Sequence, residues 1–193
     1  RMQKNNQTIF QKIHRDFLNY YERRRFDPKI SGIFINPFYF ARKGLRQEIN
    51  ALAPRLSGKM LDVGCGSKPY RTLFKGAGEY TGLEIDTPRN RAAGYADAFY
   101  NGTRFPFPDG SFDGVFASQV LEHIFEPEAF LKEIHRVLKP SGHLLLTVPF
   151  VWDEHEQPHD FARYSSFGLA HLFAKNGFEI IDARKSVPTI AVI

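Results

Sequence analysis

Sulfur is scarce in this chain. One cysteine, Cys65, and two methionines stand among 193 residues. A lone cysteine excludes an intrachain disulfide framework and a zinc centre built from thiolates, and it fits a reducing compartment. Long apolar runs are missing too. No stretch approaches the roughly 20 residues a membrane span needs, and Arg1 to Tyr20 lacks the apolar core of a secretion signal. The expectation is a cytoplasmic protein. There is no internal repeat, no low-complexity segment and no G-K-[ST] phosphate loop. The apolar end "SVPTIAVI" reads as a last strand or as a truncation point.

What the chain does have is an ordinary globular composition, 42% hydrophobic and 24% charged, in one domain's length. Its 19 phenylalanines are mostly core, with a few rings left to line a pocket. Charge is uneven. Residues 1–60 hold 13 Lys/Arg against 4 Asp/Glu, and residues 61–193 hold 13 against 17. The basic part is a solvated helix face or a patch for an acidic partner or anionic surface. "YERRRF" is too short a basic run to indicate nucleic acid.

Apolar spacing predicts a helix over residues 8–25, broken by "FDPKISG", and a second from about Asn36-Pro37 to just before Pro54. The pattern then changes. "GKMLDVG" reads as a buried strand, "KPYRTLFKG" as a helix, "EYTGLEI" as a second strand and "AGYADAF" as a weaker third. "SFDGVFAS" follows as a fourth strand, and "PEAFLKEIHRVLKPSG" is an amphipathic helix with Pro127 in its first turn. "HLLLTVPF" is a fifth strand. "SSFGLAHLFAKNG" is a helix capped by Ser165 or Ser166 and ended by Gly177. "FEIIDAR" and "TIAVI" give a sixth and a seventh strand. Strands alternating with helices predict an α/β fold with a mainly parallel sheet, whose ligands lie beyond the carboxyl ends of the strands.

"LDVGCGSKPY" is the loop after the first strand. Gly64 and Gly66 allow a tight turn and a close ligand, and the following helix would aim free N–H groups at it. A dinucleotide fingerprint needs a third glycine at position 69, where the chain has Pro69. That weakens a nicotinamide-dependent oxidoreductase. Twenty residues on, Glu84 ends the second strand, where a carboxylate accepts from ribose hydroxyls; Asp86 is the second candidate.

Together "LDVGCG", "YTGLEID", "FPFPDGSFDGVFASQVLEHI" and "FLKEIHRVLKPSGHLLLTVPF" resemble the class I S-adenosylmethionine-dependent methyltransferases, and within them the broad small-molecule group. The resemblance covers about residues 55–184. It implies a Rossmann-like seven-stranded sheet flanked by helices in residues 57–193, under an N-terminal helical cover in residues 1–56. It implies that Asp62, Gly64, Cys65 and Gly66 hold the methionine end of S-adenosylmethionine (SAM) and that Glu84 holds its ribose. Asp97 and Ala98, after the third strand, would meet the adenine edge, although Asp97 stands nine residues before Pro106, a wider spacing than the family's. Ser118 and Gln119 would lie along the reactive side of the cofactor, and S-adenosylhomocysteine would be the product.

"HEQPH", residues 155–159, matches H-E-x-x-H on its face. A zinc protease needs both histidines on one helical face, and Pro158 at the fourth position of the string costs such a helix about 3 kcal/mol. No metal is expected. The string follows the fifth strand, so it reads as a loop at the mouth of the pocket. "WDEHEQPHDFARY" there supplies His155 and His159 as candidate bases, and Trp152, Asp160, Arg163 and Tyr164 as acceptor contacts, with His123 as a pocket wall. Tyr20, Tyr21 and Tyr39 from the N-terminal helices are further wall candidates. The expected reaction is in-line displacement of the SAM methyl by a small-molecule, lipid or saccharide acceptor. The alternative is a SAM-binding module without transferase activity.

Overall fold

The computed structural model describes residues 39–186. Contacts divide the chain into two units, Asn50–Ala183 and the residues flanking it. No helix among the described residues is long and apolar enough to cross a membrane.

The larger unit is built on a five-stranded, all-parallel sheet of order β3-β2-β1-β4-β5. Its strands are β1 (Gly58–Val63), β2 (Ala77–Ile85), β3 (Ala98–Tyr100), β4 (Phe112–Ser118) and β5 (Leu138–Thr147). Strands covered on both faces read as apolar runs rather than alternating patterns. Accordingly Met60, Leu61 and Val63 of β1 and Val115, Phe116 and Ala117 of β4 are all buried. The order reverses between β1 and β4, which opens a crevice beyond their carboxyl ends.

Helix α1 (Tyr39–Leu52) lies within the predicted second helix. The string of residues 1–38, with its predicted helix over 8–25 and with Tyr20 and Tyr21, lies outside the described residues, as does the "TIAVI" strand. Helix α2 (Pro88–Ala93) is short. Thr87 caps it by accepting from Asn90 N–H, Pro88 sits in its first turn, and Gly94 ends it at φ +69°. Helix α3 (Pro127–Val137) buries Phe130, Leu131, Ile134 and Val137 on one stripe. Helix α4 (Ser166–Lys175) is capped by Ser165, which accepts from Gly168 N–H, and Gly177 follows at φ +83°. The Pro-Ser-Gly stop after α3 is absorbed at the start of β5. There the register shifts between Phe112 and Gly114, and Ser141 adopts φ +64°.

Arg136 clamps α3 to the segment before β4. It donates to Glu133, Asp109 and the carbonyls of Phe105 and Phe107, while Glu133 accepts from Phe105 N–H. This holds Phe105 fully buried.

Three predicted elements differ. "KPYRTLFKG" forms only a 3-10 turn, Arg71–Leu73, because Lys68 takes a left-handed φ of +56° before Pro69 and Phe74 leaves the helical region at ψ 67°. "AGYADAF" is mostly the loop between α2 and β3, and β3 starts only at Ala98. "FEIIDAR" forms no strand. Phe178 packs on Phe173 and His135, but Ile180 and Ile181 stand exposed and pair with no neighbour of the sheet, so the described residues hold five strands.

Candidate functional site

The loop after β1 turns through three left-handed residues, Gly64 at φ +66°, Gly66 at +47° and Lys68 at +56°. Gly64 and Cys65 N–H both donate to the Leu83 carbonyl, which pins the loop to β2. A side chain at Gly64 would collide with Val120, whereas a Cβ at Gly66 would meet nothing within 4 Å. Gly66 therefore faces open space at the crevice. The turn that follows is too short to aim a helix N-terminus at a ligand. The polar atoms offered there come from the loop and from the strand ends beside it.

Asp62, on β1, is buried and accepts from the Tyr80 hydroxyl at 2.7 Å. Burial pushes its carboxyl up to about 7, against the pull of the Tyr80 hydrogen bond. A carboxylate costly to ionise alone is a ready partner for an ammonium. Glu84 reaches back from β2, with Oε1 accepting from Gly66 N–H at 2.7 Å and Oε2 from the Asn90 amide at 3.2 Å. It is both the candidate ribose carboxylate and a staple on the glycine loop. Asp86 is engaged by Arg91 through two hydrogen bonds. Cys65 is buried, and burial followed by the charges of Asp62 and Glu84 pushes its thiol up to about 12. That disfavours the thiolate a nucleophile needs and suits packing and a backbone contact.

Asp97 and Ala98 lie at the start of β3, not after it. Asp97 accepts from Gly82 N–H at 2.6 Å and from Lys68 Nζ at 2.5 Å. Burial raises its carboxyl, but these hydrogen bonds outweigh burial and hold it below the usual range. It is therefore an internal tie between β2, β3 and the glycine loop. Lys68 crosses Gly82 to reach it, and any side chain at 82 would strike the lysine stem. The carboxyl end of β3 carries Asn101 instead. Asn101 lines a concavity of about 640 Å³ with Asp86, Phe99, Tyr100 and residues 104–108. That hollow lacks Glu84, Gly66 and Ser118, so it adjoins the crevice and is not the crevice itself.

Ser118 ends β4 and shares a hydrogen bond with Thr147 of β5 at 2.9 Å. Gln119, at φ +57°, donates its N–H to the Thr147 carbonyl and its amide to the Thr147 hydroxyl. Thr147, Tyr80 and Asn90 hold candidate site residues in place and were not singled out from the sequence, since each becomes relevant only through a partner on another element.

The loop after β5 is not helical, so "HEQPH" is no zinc-protease helix. It is laced to the loop after β4. Phe161 and Ala162 N–H donate to the Glu122 carbonyl, and His123 Nδ1 lies 2.7 Å from the His159 carbonyl. His155 stacks edge-on to His123 at 4.8 Å. Its Nδ1 is 3.1 Å from the Asp153 carbonyl and 3.2 Å from Asp160 Oδ2. Asp160 is gripped by Arg163 through two hydrogen bonds, which hold its carboxyl well below the usual range. Arg163 also donates to the carbonyls of Trp152, Asp153 and Ala162. Asp160 and Arg163 are thus the frame of the loop, and His155 is the residue they present. The exposed imidazole of His159 rests near Phe161, and its carbonyl, not its ring, does the positioning. Tyr164 packs against the core. Tyr39 belongs to the other unit, buried and edge-on to Phe40.

Glu122 lies beside the His123 and His155 rings. It is fully buried, and neither carboxylate oxygen accepts a hydrogen bond among the described residues. Burial pushes it up to about 7.

A family model described as "Methyltransferase domain" matches residues 61–146. Among curated proteins, a sterol 24-C-methyltransferase of Gibberella zeae is 41% identical over 97 residues, covering 44% of this chain and 26% of that protein. An O-methyltransferase of Aspergillus nomiae is 28% identical over 166 residues, covering 74% of each. The chain spans well under half the length of the first curated relatives it matches. Among solved structures, a SAM-dependent methyltransferase of Thermotoga maritima superposes at a TM-score of 0.56, with 21% identity over 86% of this chain and 79% of that one, and it shares the fold.

Proposed function

We propose that the chain, whose residues 61–146 match the methyltransferase-domain model, is a class I SAM-dependent methyltransferase that transfers the methyl of SAM to a small-molecule, lipid or saccharide acceptor. The observation that carries this reading is Glu84, whose carboxylate lies at the carboxyl end of β2 and stitches Gly66 of the glycine loop. SAM needs an acidic group for its ribose and another for its ammonium. Glu84 and Asp62 supply them on adjacent strands, without the third glycine that a pyrophosphate requires. Asn101 and Asp86 are the polar groups nearest the place of the adenine, in the position first read for Asp97 and Ala98. Ser118, Gln119 and Thr147 line the far side.

The chemistry is alignment above all. The acceptor's lone pair forms the new bond to carbon while the carbon–sulfur bond breaks and its electron pair stays on sulfur. The product is then S-adenosylhomocysteine. Holding two partners in line is the main contribution a protein makes to such a step. With a hydroxyl acceptor the proton must also leave. His155 is the group placed for it: Asp160 and the Asp153 carbonyl hold Nδ1 as the protonated nitrogen and leave Nε2 to accept. General-base assistance of this kind is worth about 10²- to 10⁴-fold. His123, Trp152 and Tyr164 border the acceptor. The excess of Lys/Arg over Asp/Glu in residues 1–60 suits an acidic partner or an anionic surface. A cytoplasmic location agrees with the single free thiol.

The test is turnover. Release of S-adenosylhomocysteine from labelled SAM in the presence of fractionated small-molecule extracts supports the enzyme. Tight SAM binding with no release from any fraction supports a binding module instead.

A further inference from the structure

Three groups at the carboxyl end of β4 and on the loop after β5 converge on one point. Glu122, His123 and His155 each bring one ligand-type atom within 4.8 Å of the other two. Glu122 is the most telling. A buried carboxylate with both oxygens unpartnered is costly unless a cation or a proton meets it.

The two imidazoles are prepared in the same sense. His123 Nδ1 is turned to the His159 carbonyl, and His155 Nδ1 to the Asp160 carboxylate and the Asp153 carbonyl. Acceptors at both Nδ1 atoms fix the proton there, so both Nε2 atoms carry free lone pairs. Metal-bound histidines are held in this way, through the second nitrogen by a carbonyl or a carboxylate. His123 Nε2 is already 3.9 Å from Glu122 Oε1. Arg163 of the frame gives its hydrogen bonds to Asp160 and to the carbonyls of Trp152, Asp153 and Ala162, and none to Glu122.

We propose that Glu122, His123 and His155 bind one divalent transition-metal ion of the Zn²⁺ type. Two imidazole nitrogens and one carboxylate suit a borderline ion and not Mg²⁺ or Ca²⁺, which take oxygen ligands. Ligand atoms around bound Zn²⁺ stand about 3.3 Å apart, given bonds of about 2.0–2.1 Å. The cluster therefore contracts by roughly 1 Å or more on filling, and His155, on a loop and part-exposed, is the ligand that moves. Three protein ligands leave a coordination position open. The first histidine of "HEQPH" is thus a metal ligand after all, with partners the string does not contain.

One consequence rests on the methyltransferase reading. The ion takes the lone pair of His155 that would accept the acceptor's proton, so in the loaded chain a hydroxyl at the open position would be acidified by the ion and would release its proton to solvent water before the methyl is transferred. The site itself stands without that reading.

The test uses the full chain without an affinity tag, stripped with chelator, and titrates Zn²⁺ by calorimetry, with thermal unfolding alongside. Expected are one Zn²⁺ per chain at micromolar affinity or tighter and a raised Tm. His155→Ala and Glu122→Gln each weaken binding at least about tenfold and abolish the Tm rise. His171→Ala, an exposed imidazole away from the cluster, changes neither. His155→Ala removes a part-exposed side chain, so it reports even where Glu122→Gln folds poorly. No micromolar site in the wild type, or binding that His155→Ala retains, overturns the proposal.

Discussion

Replacing Gly64 with alanine should damage the glycine loop in two separable ways. Gly64 sits at φ +66°, a conformation that costs an L-residue about 1–2 kcal/mol. The added methyl would also overlap Val120 Cγ2 and lie 3.4 Å from Cγ1. Valine is stiff at χ1 and this one packs against the core, so it has little room to yield. Overpacking of that kind costs about 1–3 kcal/mol. Gly64→Ala should therefore lose roughly 2–5 kcal/mol in urea unfolding followed by circular dichroism. Val120→Ala removes both γ-carbons, and with them the overlap. The double variant should then recover about 1–3 kcal/mol relative to the sum of the single losses, leaving the backbone cost alone. A loss below about 0.5 kcal/mol in Gly64→Ala, or strict additivity in the cycle, would refute the reasoning.

The remaining expectations are these. In chelator, Glu122→Gln should gain on wild type as pH rises. A carboxyl raised from 4.5 to about 7 contributes stability that is complete below 4.5 and lost as pH climbs through 7, on the order of 3 kcal/mol in all; parallel pH dependences for the two proteins would contradict this. Arg136→Met should cost about 3 kcal/mol by unfolding, because it leaves Glu133 and the Phe105 and Phe107 carbonyls without their donor. An unchanged midpoint would show that the clamp is idle.

Much of the fold was legible because buried parallel strands read as apolar runs. β1, β2, β4 and β5 were found from such runs, and α3 and α4 from their apolar spacing, Pro127, Ser165 and Gly177. The failures share a cause. "FEIIDAR" has a strand's composition, but a strand exists only beside a partner, and Ile180 and Ile181 have none among the described residues. β3 is three residues long, too short for composition to mark, and its misplacement carried Asp97 from the ligand side to an internal ion pair. α2 was readable in principle from Thr87-Pro88 and Gly94. At the site, Asp62, Gly66 and Glu84 follow from loop and strand ends. The Glu122–His123–His155 cluster does not, because it joins two loops whose meeting is a property of the sheet order.

Calorimetric titration of SAM into the wild type should give one site of micromolar affinity. Glu84→Ala should weaken it by about tenfold or more, through loss of charged hydrogen bonds worth about 1.5–3 kcal/mol each. No binding to cofactor-free wild type, or equal binding by wild type and Glu84→Ala, would contradict the assignment of the crevice to this cofactor.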